Sequence, residues 1–168
     1  MTFKSKNLSV IIFFFALGFF VYYPSVTSEF LNWDDEAYVT KNPLFKNLNL
    51  VNFSKLFVEY VLGNYHPITM ITFFIEYVLF GDNAIPFRII NIIIHCCNSL
   101  LIFYILKTFF KNDYLNIIGG VIFLVHPIHV ESVAWISERK DLLYSLFFLL
   151  SIKSYINYLN SKSIKSYY

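Results

Sequence analysis

Long apolar runs alternate with short polar joints along this chain, and the runs are of membrane length. A bilayer core of about 30 Å takes roughly 17–25 helical residues, and runs near that length fall at about 8–23, 86–110, 114–126 and 142–159. The first, "LSVIIFFFALGFFVYY", ends on an aromatic pair and Pro24. It is long for the apolar core of a secretory leader and no small-residue cleavage site follows it, so it reads as a retained helix. The third, "YLNIIGGVIFLVH", is short and is expected to pack on its neighbours through Gly119 and Gly120. The pattern predicts an all-α, multi-pass transmembrane helical bundle of about four spans, with outer loops 24–85 and 127–141.

Two apolar stretches carry polar residues that need an explanation. Inside the first loop, "YHPITMITFFIEYVLFG" holds His66, Pro67 and Glu76 and is too short to cross. It fits a helix lying in the interface or half-inserted. Along the second span, Arg88, Asn91, His95 and Asn98 recur at helical spacing and share one face. That face must meet protein or a cavity, because an ionisable side chain toward lipid is costly.

Composition strengthens the membrane reading. Hydrophobic residues make up 57% and charged residues 14%, against roughly 45–50% and about 25% in soluble domains. The net charge of +2 contains no basic run of the kind that binds nucleic acid. Adjacent Cys96 and Cys97 point apart on a helix and read as buried thiols, neither a disulfide framework nor a metal pair. Charge also orients the chain. With four spans, Lys4, Lys6, Lys107, Lys111, Lys153, Lys162 and Lys165 share one side with a single acid, Asp113. The positive-inside rule makes that side, and both termini, cytoplasmic. A fifth crossing would separate Lys4 and Lys6 from the other lysines. The chain ends soon after its last apolar run and reads as the front part of something longer.

The outer loops hold the candidate chemistry. Asp34 and Asp35 follow the first span by about ten residues, near the headgroup surface and beside Trp33 and Tyr38. Adjacent carboxylates can tune one another so that one serves as a general base; they could also bind a divalent cation, or form a solvated turn. The segment "HPIHVE", His126 to Glu131, has a zinc-like spacing, but Pro127 disturbs the helix that would align it and no further ligands cluster nearby. No metal site is assigned. In "SERKDLL", Ser137 suits the N-cap of the last span, with Glu138 and Asp141 at the positive end of its dipole. Arg139 and Lys140 remain for a lipid phosphate, or as ordinary interfacial anchors.

Four motifs, taken in order, resemble one family. They are "F-x-N-W-D-D-x-x-Y-V-x-x-N-P" from Phe30, "Y-H-P-I-T-x-x-T-F" from Tyr65, "R-x-x-N-x-x-x-H" from Arg88, and "HPIHVESVAWISERKDLL" from His126. Together they are similar to the membrane half of transmembrane O-mannosyltransferases carrying tetratricopeptide repeats, members of the GT-C superfamily. The resemblance implies that residues 1–168 are the N-terminal part of a GT-C-type membrane domain. It implies transfer of a sugar, a hexose such as mannose, from a polyprenyl-phosphate-linked donor to a protein or glycan hydroxyl. The reaction would take place on the extracytoplasmic or lumenal face of a bacterial-type cytoplasmic membrane or the ER membrane. It further implies Asp34 as base with Asp35 as its partner, and Arg139 with Lys140 at the lipid phosphate. His66, His129, Glu131 and Asp141 lie in matching motifs and are candidates for substrate contact. No cofactor is implied beyond the lipid-linked donor. The alternative classes are a transporter or channel component lined by the Arg88 face, and a non-catalytic truncated membrane scaffold.

Overall fold

The computed structural model describes residues 3–46 and 50–161 of the chain. It is helical, with no strand among the described residues, and its long elements form a bundle. Helix α1 (Phe3–Val26) leads into a folded outer segment containing a π-helical turn (Glu36–Thr40) and the short helices α2 (Pro43–Lys46) and α3 (Leu50–Lys55). Helix α4 (Pro67–Phe80) and the long α5 (Ala84–Phe109) follow. Helix α6 (Asp113–Val125) runs back toward the outer end. There a 3-10 turn (Pro127–His129), helix α7 (Val130–Ala134) and a second 3-10 turn (Ile136–Glu138) lead into α8 (Arg139–Ser161).

Local chemistry sets these boundaries. Pro67 opens α4, where its missing N–H costs nothing, and Gly81, at φ 62°, closes it. Asn83 and Asn112 cap α5 and α6, accepting from the backbone N–H of Ile85 and Tyr114 at 3.1 and 3.0 Å. Pro127 forces His126 into an extended conformation, φ −66° and ψ 129°, which ends α6.

Among the described residues, three helices are long and apolar enough to cross a membrane: Asn7–Val26, Ala84–Phe109 and Ile136–Ser161. The fourth crossing expected at 114–126 differs from a straight span. Asp113–Val125 and Pro127–Ala134 pass the same test only as a pair, bent by 46° at the proline. Helix α4, at 14 residues, is about 21 Å long and falls short of the bilayer core, as its interfacial reading requires. The last helix begins at Arg139 rather than near 142, so Arg139, Lys140 and Asp141 form its first turn. Ser137 sits in the preceding 3-10 turn, and its hydroxyl donates to Asp35 instead of capping α8.

Two cores result. One, within the bundle, gathers Phe14, Ile92, Cys96, Phe103, Leu124 and Val133. The other lies at the outer end and joins Tyr38, Phe45, Leu56, Met70, Phe73 and Phe87. Lys107 and Lys111 flank the α5–α6 turn at the opposite end; Lys162 and Lys165 lie outside the described residues.

Glycine contacts let α6 approach its neighbours closely. A Cβ at Gly120 would meet the Phe14 ring at 2.7 Å and the Ser99 carbonyl at 3.2 Å. The Ser99 hydroxyl also donates to the Gly120 carbonyl at 2.7 Å, so the two helices are held in register. Gly120→Val should therefore destabilise the bundle by about 1–3 kcal/mol through overpacking. Thermal unfolding in nanodiscs checks this; an unchanged midpoint would mean α1 and α6 do not pack in this way.

Candidate functional site

The polar face of α5 builds the platform. Arg88, Asn91, His95 and Asn98 are all buried, at 2%, 0%, 1% and 0% exposure. The break between α6 and α8 leaves backbone carbonyls without helical N–H partners, and unmet carbonyls in an apolar setting are expensive. The α5 side chains meet carbonyls in that break, and others in the segment after α1 and in the first turn of α8. Arg88 donates through Nε to the Ser28 carbonyl at 3.0 Å and through its terminal nitrogens to Glu29 and Ala134. The Asn91 amide donates to the Trp135 carbonyl at 3.2 Å, and His95 Nε2 lies 3.0 Å from the Leu124 carbonyl. Asn98 donates to Leu142 at 2.9 Å. This face meets protein, as a structural spine, and its side chains are spent on the backbone rather than lining a pathway.

The spine draws both outer loops to one end of the bundle. Asp35, fully buried, locks them together. It accepts from the backbone N–H groups of Leu31 and Ser137, each at 3.0 Å, and from the Ser137 hydroxyl. Its neighbour Asp34 is half-buried and has no hydrogen-bond partner among the described residues. Spacing alone does not distinguish the two members of the pair, and the resemblance favours Asp34 as the base.

Arg139 is also fully buried. Its guanidinium forms an ion pair with Glu76, with Nη2 to Oε2 at 3.0 Å and Nη1 to Oε1 shorter still. It donates further to Asn91 Oδ1 at 2.7 Å, Thr72 Oγ1 at 3.1 Å and the Phe87 carbonyl at 2.8 Å. The Phe73 ring lies 4.5 Å away across its face. All five N–H groups of the guanidinium are thereby committed within the protein, and none is left for a phosphate. Arg139 joins α4, α5 and α8 into one unit. Glu76, Thr72 and Ser137 were not singled out from the sequence as site residues. The readable signal for Glu76 was an acid inside an otherwise apolar helix, which demands a buried partner.

Lys140, next in the chain, faces a groove. It lines a cavity of 230 Å³ with Tyr65, His66, Leu143, Tyr144 and Phe147, between the start of α4 and the first turns of α8. Its ammonium pairs with Glu138 at 2.5 Å. The His66 Nε2 atom is buried without a partner among the described residues, and its ring stacks on Tyr38 at 6.5 Å. Burial holds the His66 imidazole below its ordinary value. The Lys140 charge adds to this, while Asp141 and Glu138 oppose it. Burial and the Lys140 charge both favour the neutral form of His66. Burial raises the Tyr38 hydroxyl; Asn64 and Lys140 pull it down, and Asp34 and Glu138 push it up. Tyr38 thus stands within electrostatic reach of Asp34, Glu138 and Lys140 at once.

Asp34 and Lys140 both act electrostatically on Tyr38, whose ring stacks on His66, and Asp141 acts on His66, while Asp35 and Arg139 are buried. Asp141 is exposed and accepts from the Ser132 hydroxyl at 3.5 Å. His129 lies apart, its ring 4.4 Å from Phe123 and 5.3 Å from His95. Glu131 is exposed beside it in α7. Among the described residues no group of three or more histidine, cysteine or acidic side chains is placed to hold a metal ion.

Relatives exist for this arrangement of motifs. The chain is 43% identical over 93 residues to protein O-mannosyl-transferase TMTC1 of Homo sapiens, a match covering 55% of the chain and 10% of that protein. It is 27% identical over 157 residues to protein O-mannosyl-transferase TMTC2 of Mus musculus, covering 88% of the chain and 18% of the relative. Protein O-mannosyl-transferase F38B6.6 of Caenorhabditis elegans is 28% identical over 161 residues, 89% of the chain and 23% of the relative. The chain thus spans between a tenth and a quarter of these relatives' length. No family model and no solved structure matches it. The resemblance carried by the four motifs is met by relatives of the same kind.

Proposed function

We propose that this membrane chain, similar over most of its length to protein O-mannosyl-transferases, forms the donor-binding and base-bearing part of a glycosyltransferase. The donor is a polyprenyl-phosphate-linked hexose such as mannose, and the acceptor is a hydroxyl on a protein or glycan. The outer end of the bundle faces the extracytoplasmic or lumenal side, opposite the lysine-bearing α5–α6 turn, as the positive-inside rule requires.

One observation carries the reading. Of two adjacent carboxylates, Asp35 is consumed by the fold while Asp34 has no hydrogen-bond partner among the described residues and acts on Tyr38, whose ring stacks on the His66 that lines the Lys140 groove. Asp34 takes the proton from the acceptor hydroxyl, and the oxygen attacks the anomeric carbon. The bond from that carbon to the phosphate oxygen breaks, releasing the polyprenyl phosphate with inversion at the sugar. Charge grows on the departing phosphate, and Lys140 stabilises it there. In this reading Arg139 is a positioning residue that fixes the first turn of α8, so the phosphate contact assigned to it from the sequence passes to Lys140. Leu143, Tyr144 and Phe147, along the groove, offer an apolar track for the isoprenoid.

Lys140→Ala tests this in the full-length protein. The expected result is an increase in donor KM of about tenfold, from losing a hydrogen bond to a charged group, with partial recovery in Lys140→Arg. An unchanged KM for the lipid-linked donor would overturn the placement of the phosphate at Lys140.

A further inference from the structure

Trp33 presents most of its indole outward, at 76% exposure, in the position just before the proposed base. The backbone that carries it is pinned. Asp35 accepts from the Leu31 N–H at 3.0 Å, which closes the chain around Trp33 and Asp34. Its other oxygen takes the Ser137 N–H at 3.0 Å and so ties this loop to the segment of Trp135. Each tryptophan therefore lies two residues from the same clamp, and the two rings meet edge to face, their centroids 6.4 Å apart. Trp135 is fixed as well: its backbone N–H donates to the Glu131 carbonyl at 3.0 Å, and its carbonyl accepts from Asn91 at 3.2 Å.

The pair is chemically incomplete. A buried indole N–H ordinarily has an acceptor, yet Trp135 Nε1 is buried with no hydrogen-bond partner among the described residues. An exposed tryptophan at a membrane edge is commonly an anchor in the headgroup layer; that role accounts for Trp33 but leaves the Trp135 N–H unused. A hexose accounts for both. The C–H groups on one face of a pyranose carry partial positive charge and rest on the negative face of an aromatic ring, and its hydroxyl oxygens accept from an N–H. The proposed reaction also requires a sugar here, because the anomeric carbon must come within reach of the oxygen that Asp34 deprotonates. A single 3-10 turn, Ile136–Glu138, separates Trp135 from the start of α8 that carries Lys140, so the sugar and phosphate ends of one donor are served by adjoining stretches.

Building on the transferase reading, we infer that Trp33 and Trp135 form the subsite for the hexose of the donor, Trp33 stacking on its C–H face and the Trp135 N–H bonding one of its hydroxyl oxygens. Trp135 Nε1 is closed to solvent, so binding turns the exposed Trp33 ring off its partner and lays it along the sugar, while the pinned backbone stays in place.

The test is binding of two probes to the full-length protein in nanodiscs: polyprenyl phosphate carrying mannose, and the same polyprenyl phosphate without a sugar. Trp33→Ala should weaken the mannose-bearing lipid about tenfold, the scale of one aromatic contact, and leave the bare lipid phosphate unchanged. Trp33→Phe should keep most of that affinity. Trp135→Phe keeps an aromatic ring and removes the N–H; it should weaken the mannose-bearing lipid alone, about fivefold for one neutral hydrogen bond. Lys140→Ala is the contrast, since it should weaken both lipids. Trp33 is at the surface, so Trp33→Ala should unfold at the parental midpoint. Equal loss for both lipids makes Trp33 a membrane contact and overturns the subsite, as does unchanged binding of both or a loss confined to the acceptor KM. Measuring sugar transfer by the parent separates the two readings. Sugar-selective binding that Trp33→Ala abolishes, without transfer to any acceptor, sinks the transferase reading and leaves a sugar site standing. Transfer with a Trp33→Ala variant that still prefers the sugar-bearing lipid does the reverse.

Discussion

Glu76→Ala is expected to destabilise the outer end of the protein by about 3–5 kcal/mol, the usual cost of breaking a buried ion pair from one side. The magnitude follows from what is left behind. Arg139 has no exposure, so removing the carboxylate strands a full guanidinium charge among Phe73, Phe87 and the α5 backbone. No water can replace Glu76 at that depth without opening the outer core. Among the described residues the pair and the neighbouring Thr72 contact are the polar links joining α4 to α8, so its loss should free α4 from the bundle. Two measurements bear on this: thermal unfolding in nanodiscs, and protease susceptibility of the segment around residues 62–66. A double variant, Glu76→Leu with Arg139→Met, removes both charges while keeping volume, and should recover much of the stability. If Glu76→Ala unfolds within a degree or so of the parent, the ion pair does not hold the helices together.

The same pair explains which features could be read in advance. The apolar runs, the interfacial character of α4 and the shared face of α5 follow from periodicity and length, because membrane burial leaves few other solutions. Pro127 announced a break, but the pattern alone did not reveal that the third crossing is a bent pair. Nor did it reveal that the break exposes the carbonyls which Arg88, Asn91 and His95 satisfy. Arg139 and Lys140 look equivalent as neighbouring cations. Only the helix start at Arg139 turns one inward onto Glu76 and the other outward onto the groove. Asp34 and Asp35 diverge for a similar reason. A sequence gives two carboxylates; the hydrogen bonds from Leu31 and Ser137 decide which one is free.

That divergence makes the aspartate pair the sharpest test of the proposed chemistry, because the two members should fail in different ways. Asp34→Asn keeps the size of the side chain and disturbs no hydrogen bond among the described residues. The protein should insert and unfold like its parent, while transfer falls about 100- to 10,000-fold for want of a general base. The loss should appear in kcat, with donor KM nearly unchanged, because Asp34 touches the acceptor and not the lipid phosphate. Asp35→Asn should do the opposite first. Its amide can still accept from Ser137 through one oxygen, but it replaces a charge-assisted acceptor of three donors with a weaker one. The two outer loops should loosen, and activity should drop with the fraction folded. If Asp34→Asn transfers sugar at the parental rate while Asp35→Asn folds normally and is inactive, the base is Asp35. The buried geometry of the pair would then have to open during the reaction.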